Sequence, residues 1–111
     1  MTMNSRILIL LAAAASFGAG GARAADPAAG QVKAKEVCAA CHGFDGNSAS
    51  PDFPKLAGQY GDYLAKALRD YKSGLRKNAI MAGFAGALSA KDIDNVAAYY
   101  STRPSVLATK H

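Results

Sequence analysis

The chain has 111 residues, of which half are hydrophobic and 19% are charged, and its formal net charge is +5. This length excludes two ordinary domains, and this composition excludes a disordered chain. We therefore expect one small folded domain. Domains of this size often depend on a disulfide, a metal or a cofactor for stability.

Residues 1–24 have the pattern of a signal peptide. Arg6 is followed by five aliphatic residues and then by a run rich in alanine and glycine. The run is shorter than the roughly 20 residues of a membrane-spanning helix, and Ala22–Ala24 has the small-x-small pattern of a cleavage site. We predict cleavage after residue 24, which leaves a periplasmic domain over residues 25–111 with no membrane span. An uncleaved signal anchor is the alternative.

A first amphipathic helix is predicted soon after that site. Apolar residues recur at helical spacing from Ala34 to Cys41, with charged residues between them, so the helix should run from about Ala28 into the cysteine pair. Residues 43–58 are rich in glycine, serine and proline. That composition predicts a long loop.

Two further helices are predicted in the second half of the chain. From Tyr60 to Tyr71, six apolar or aromatic residues recur at i, i+3, i+4, i+7, i+8 and i+11, opposite charged residues, and Gly74 should end this helix. Ser89 and Asp92 form a capping box that opens the last helix. Since no segment alternates like a strand, the fold class is all-α. The predicted buried face of the last helix comprises Ile93, Val96, Ala97 and Tyr100.

The two cysteines belong to a motif with specific chemistry. Cys38 and Cys41 are separated by two alanines and followed directly by His42, which is the attachment pattern of c-type haem. Two thiols at this spacing can add to the two vinyl groups on one edge of a porphyrin, with the imidazole beneath the iron. We predict one covalently bound haem c, with His42 as an axial ligand. The alternatives are a thioredoxin-like pair, which needs a βαβ context, a four-ligand zinc site, and a chance pair of core cysteines.

The second axial ligand is predicted by elimination. Met1 and Met3 belong to the predicted signal peptide, so Met81 is the only thioether of the mature chain. It lies within residues 75–88, which show no clear period and where a loop can fold the sulfur over the haem. His/Met ligation favours electron transfer, because it leaves no position for a substrate and raises the reduction potential. The alternatives are a Met that merely fills a gap, ligation by His111, and an open position.

Basic residues are concentrated between residues 55 and 77. This segment holds six basic and two acidic residues, a local net charge of +4. Such a surface can steer an acidic redox partner, and the alternative is an ordinary solvated helix face. Nucleic acid is not a predicted target, because the aromatic residues fall on the buried stripe and the chain is predicted to be exported.

These features together resemble a class I cytochrome c and, in detail, one domain of the bacterial cytochrome c4 or c553 group. The resemblance covers nearly all of the chain after residue 24. It implies a small cytochrome c fold, with three main helices and loops wrapped around one haem. The residues that carry the resemblance are Cys38-Ala39-Ala40-Cys41-His42-Gly43, Asp45-Gly46-Asn47, Phe53-Pro54-Lys55-Leu56-Ala57-Gly58-Gln59, Met81, Leu88-Ser89 with Asp92, and Ala98-Tyr99-Tyr100.

The resemblance also implies two contacts. Pro54 would offer its backbone carbonyl to the ring N–H of His42, which would fix the imidazole tautomer and raise its basicity; an ordinary turn proline is the alternative. Gly30, in the first helix, would pack against an aromatic residue of the last helix, either Tyr99 or Tyr100.

The function implied is that of a carrier of single electrons between respiratory redox partners, and not that of an enzyme. Cytochrome c4 has two haem motifs where this chain has one, so transfer between two haems is not implied, and we expect a monomer or a weak homodimer. The alternatives are a haem subunit bound to a dehydrogenase or oxidase, and a haem enzyme or gas sensor with an open iron.

Overall fold

The computed structural model describes residues 24–107. The predicted signal peptide up to residue 23 and the candidate ligand His111 lie outside the described residues. Residues 24–107 contain helices and no strand, which confirms the all-α fold class, and none of these helices is long and apolar enough to cross a bilayer. The helices are α1 (Pro27–Val37), α2 (Ala39–His42), α3 (Gly61–Ser73), α4 (Ala79–Gly86) and α5 (Ala90–Ser101).

Helix boundaries follow from local residues. Asp26 caps α1 by accepting hydrogen bonds from two backbone N–H groups of the first turn, and Pro27 occupies a first-turn position, where its missing N–H costs nothing. Gly74 ends α3 at a φ of 84°, as predicted. The predicted capping box is also present, since Ser89 and Asp92 each accept a hydrogen bond from the backbone N–H of the other.

Helix α4 lies where the sequence pattern predicts irregular structure, so that prediction is wrong for residues 79–86. Its N-cap is Asn78, whose side chain accepts a hydrogen bond from the backbone N–H of Met81 at 3.0 Å. The helix is apolar on nearly every side and contains two glycines, so no polar face marks its period. Met81 therefore lies in the first turn of a helix and not in a loop.

Helices α1 and α5 approach each other closely at Gly30, which is buried. A β-carbon at Gly30 would lie 1.9 Å from the carbonyl oxygen of Asn95, so only glycine allows the two backbones to come this close. The atoms nearest to that position belong to Asn95 and Val96. Gly30 thus contacts the backbone of α5, and its expected contact with Tyr99 or Tyr100 stays a prediction.

The hydrophobic core lies where α1, α3 and α5 meet. Helix α5 supplies most of it, and its predicted buried face is confirmed, because all four residues of that face are at most 2% exposed. The partly buried Val37, Cys38, Leu56 and Leu68 pack against the cluster and connect it to the motif. The buried members are Ala34, Leu64, Ala65, Leu88, Ile93, Val96, Ala97, Tyr99 and Tyr100.

Gly30→Ala should destabilise the fold, because the added methyl group must push α1 away from α5. Overpacking of this kind costs about 1–3 kcal/mol in the free energy of unfolding, which urea denaturation measures. Gly83→Ala is the matched control, since a β-carbon there meets no atom within 4 Å, and it should stabilise the protein by about 0.5–1 kcal/mol. Wild-type stability in Gly30→Ala would contradict the close helix contact.

Candidate functional site

A cavity of about 310 Å³ lies between α3, α4, α5 and the loop that follows α2. This volume falls in the range of roughly 300–1,000 Å³ in which proteins hold cofactors and other small molecules. The cavity is lined by Cys38, Cys41, His42, Pro54 and Met81. The structure thus brings all five predicted site residues to one place, although they are spread over 44 positions of the sequence.

The apolar stripe of α3 forms one wall of this cavity. We expected the stripe to be a buried face, but Tyr63 is 50% exposed, and Tyr60, the first member of the stripe, is 79% exposed and does not line the cavity. A cavity therefore takes the place of a partner helix along much of this face. The stripe residues that line it are Tyr63, Leu64, Ala67, Leu68 and Tyr71.

His42 is held in a defined orientation. Its side chain is buried, with 7% of the residue exposed, and its Nδ1 lies 2.8 Å from the carbonyl oxygen of Pro54. Because a carbonyl oxygen can only accept a hydrogen bond, Nδ1 must carry the proton, and Nε2 then keeps its lone pair. The edge of the Phe53 ring packs beside the imidazole, with 6.2 Å between the ring centroids. Nε2 is therefore the nitrogen that can bind a metal.

The two thiols lie at the junction of α1 and α2. Cys38 ends α1 and caps α2, which places Cys41 and His42 on the single turn that follows. The two cysteines form no disulfide with each other, and burial raises the pKa of the Cys38 thiol to about 11. A thiol that stays protonated is a poor nucleophile in disulfide exchange. The thioredoxin-like alternative also needs a βαβ context, and residues 24–107 contain no strand.

Helix α4 forms a second wall of the cavity and carries its thioether. Ile80, Met81 and Phe84 line the cavity, and the N-cap residue Asn78 lines it as well. Met81 is half-buried. The Asn78 side chain accepts a hydrogen bond from the backbone N–H of Met81, so the first turn of α4 fixes the backbone position from which the Met81 side chain extends.

Two tyrosines of α5 hold the backbone just after His42, a role that the sequence analysis misses. The hydroxyl of Tyr99 donates to the carbonyl oxygen of Phe44 at 2.7 Å, and that of Tyr100 donates to the carbonyl oxygen of Gly43 at 3.1 Å. Helical periodicity identifies Tyr100 as buried. It carries no signal for a hydroxyl partner more than 50 positions earlier in the chain.

The residues of the cavity suit a c-type haem. The two thiols of the motif, an imidazole with a free Nε2 and a thioether share one cavity whose other walls are largely apolar. Imidazole and thioether are both established haem-iron ligands, and an apolar wall accommodates a porphyrin. A small all-α domain with this motif and this cavity has the architecture of a c-type cytochrome.

The chain belongs to the cytochrome c family, whose family model matches residues 27–103. Cytochrome c4 from Pseudomonas aeruginosa is 51% identical over 80 residues, which are 72% of this chain and 39% of that protein. Cytochrome c-554(548) from Halomonas halodenitrificans is 43% identical over 83 residues, which are 72% of this chain and 99% of that protein. A thiosulfate dehydrogenase electron acceptor from Stutzerimonas stutzeri is 43% identical over 77 residues, 68% of this chain and 36% of that protein.

A solved structure of reduced cytochrome c4 from Pseudomonas stutzeri has the same fold. It matches with a TM-score of 0.69 and 46% identity, over 74% of this chain and 47% of that chain. The chain thus spans less than half of the matched cytochrome c4 from Pseudomonas aeruginosa and resembles one domain of it. The protein is a class I c-type cytochrome domain that carries covalently bound haem c.

Tyr99→Phe should weaken the fold by about 1 kcal/mol, because it removes the hydrogen bond to the Phe44 carbonyl. The measurement is urea denaturation of the purified haem-bound protein. Tyr60→Phe is the control: Tyr60 is largely exposed, so this change should stay within about 0.5 kcal/mol of the wild type. Equal effects of the two substitutions would show that the Tyr99 hydroxyl does not hold this backbone.

Proposed function

We propose that the protein is a periplasmic carrier of single electrons, made of residues 25–111 after removal of residues 1–24. In this proposal Cys38 and Cys41 hold the haem, and His42 and Met81 are its axial ligands. The observation that carries the proposal is that these four side chains line one cavity, in which the hydrogen bond from Nδ1 fixes the tautomer of His42.

Both proposed axial ligands favour electron transfer over catalysis. When bound, haem c supplies an iron that gains and loses one electron. The carbonyl of Pro54 keeps the Nε2 lone pair of His42 available and raises the basicity of the ring. The soft sulfur of Met81 favours the ferrous state and so raises the reduction potential. With both ligands in place, no coordination position is left for a substrate.

The surrounding walls support the same role. Side chains of α3 and α4 line the cavity with apolar surface. Such a surface excludes water and favours ferrous iron, which carries less charge than ferric iron. Thioether bonds to Cys38 and Cys41 would keep the cofactor from dissociating outside the cell. The chain thus supplies a permanent, shielded redox centre, which is what a carrier requires.

The proposed partners are redox proteins, and the basic segment gives limited support for an acidic one. Lys66 and Arg69 are paired with carboxylates, whereas the hydrogen bonds of Lys55 and Lys72 to neutral carbonyls fix those side chains without cancelling their charge. The pairs are Lys55 with the carbonyl of Ser48, Lys66 with Asp70, Arg69 with Asp94, and Lys72 with the carbonyl of Leu88. An acidic partner is supported mainly by the net charge of the predicted mature chain, which has eleven basic and eight acidic residues.

A second candidate is a haem subunit that stays bound to a dehydrogenase. It is favoured by the likeness to the thiosulfate dehydrogenase electron acceptor. Size-exclusion chromatography of the native extract separates the two candidates, because a carrier elutes as a monomer or weak dimer and a subunit elutes with its enzyme.

Met81→Ala should abolish the weak near-infrared absorption that arises from charge transfer between sulfur and ferric iron. The reduced variant should also bind carbon monoxide rapidly, since the substitution opens an axial position. His111→Ala is the control and should change neither property. Absence of the band from the wild type, or its survival in Met81→Ala, would contradict ligation by Met81.

A further inference from the structure

We propose that Arg76 binds a propionate carboxylate of the haem at the rim of the cavity and thereby sets how the reduction potential depends on pH. The inference rests on the proposed function, because it requires haem in this cavity.

Haem brings negative charge that the cavity must accommodate. A porphyrin of this type carries two propionate groups, and an unpaired carboxylate beside apolar walls is costly unless it is hydrated or bound by a cation. The cationic side chains that line the cavity are Lys55 and Arg76. Asp52, the acidic residue of the lining, would repel a carboxylate. The candidate partners of a propionate are therefore Lys55 and Arg76.

Lys55 already has a structural contact. Its Nζ donates to the backbone carbonyl of Ser48 at 2.6 Å in a partly buried hydrogen bond. Turning the ammonium group toward a propionate would leave that carbonyl without this donor, which costs free energy. Lys55 thus serves first to close the loop that follows the haem motif.

Arg76 is placed and oriented for a carboxylate. Its guanidinium carbon lies 4.7 Å from the ring centroid of Tyr71, which also lines the cavity, and its backbone N–H donates to the carbonyl of Asp70 at 3.1 Å. Stacking occupies the face of a guanidinium and leaves the N–H groups at its edge free to bind a carboxylate with two hydrogen bonds. Among residues 24–107, no acidic side chain forms an ion pair with Arg76.

This pairing has a consequence for the reduction potential. A cation on the propionate keeps the carboxylate ionised and offsets its negative charge. Without that cation, the propionate stabilises ferric iron more strongly, so the potential falls. Without the cation the propionate also binds its proton up to a higher pH. The potential therefore depends on pH over a higher range, because ferric iron favours the ionised propionate.

The test compares Arg76→Ala with Lys77→Ala by potentiometric titration of the haem-bound proteins from mildly acidic to mildly alkaline pH. Both variants lose one positive charge, but Lys77 does not line the cavity. We expect Arg76→Ala to have a lower potential than Lys77→Ala, with its pH-dependent region moved toward neutrality. Arg76→Gln serves in its place should Arg76→Ala fail to retain haem.

Coincident curves for the Arg76 and Lys77 variants would overturn the assignment of Arg76. The near-infrared band is recorded on the same samples. If the band is present and the curves coincide, only the role of Arg76 is rejected. If the band is absent from the wild type, the ligation of the iron by Met81 is rejected.

Discussion

The geometry of the haem site depends on the contact between α1 and α5 at Gly30. The two backbones approach so closely that a β-carbon at Gly30 would lie 1.9 Å from the Asn95 carbonyl oxygen. The side chain of Asn95 also accepts a hydrogen bond from the backbone N–H of Asp26 at 2.8 Å. One residue of α5 therefore fixes the start of α1 and its crossing point. Because α1 ends at the haem motif, the same contact fixes where Cys38 lies.

Helix α5 also holds the far side of the motif. The hydroxyls of Tyr99 and Tyr100 bind the two carbonyls that follow His42, and the loop then returns to the imidazole through the carbonyl of Pro54. His42 is thus held by hydrogen bonds to the main chain on both sides of it. A side chain held in this way is preorganised to bind a metal.

Much of this architecture follows from local patterns. The period from Tyr60 to Tyr71 and the capping box at Ser89 predict α3 and α5, because one apolar face or one cap suffices to specify each. Helix α4 could not be predicted in this way, because it is apolar on nearly all sides and has no polar face to mark its period. Distant pairings escape it as well: the partner of Pro54 comes only from the family resemblance, and the partner of Gly30 is a backbone that no residue pattern marks.

We propose that the sulfur of Met81 would bind the haem iron together with His42. Proton NMR of the reduced, diamagnetic protein tests this most directly, because the porphyrin ring current shifts protons held just above its plane far upfield. We expect a three-proton methyl signal from Met81 well upfield of all other resonances. A reduced protein that carries covalent haem and shows no such signal would contradict the claim.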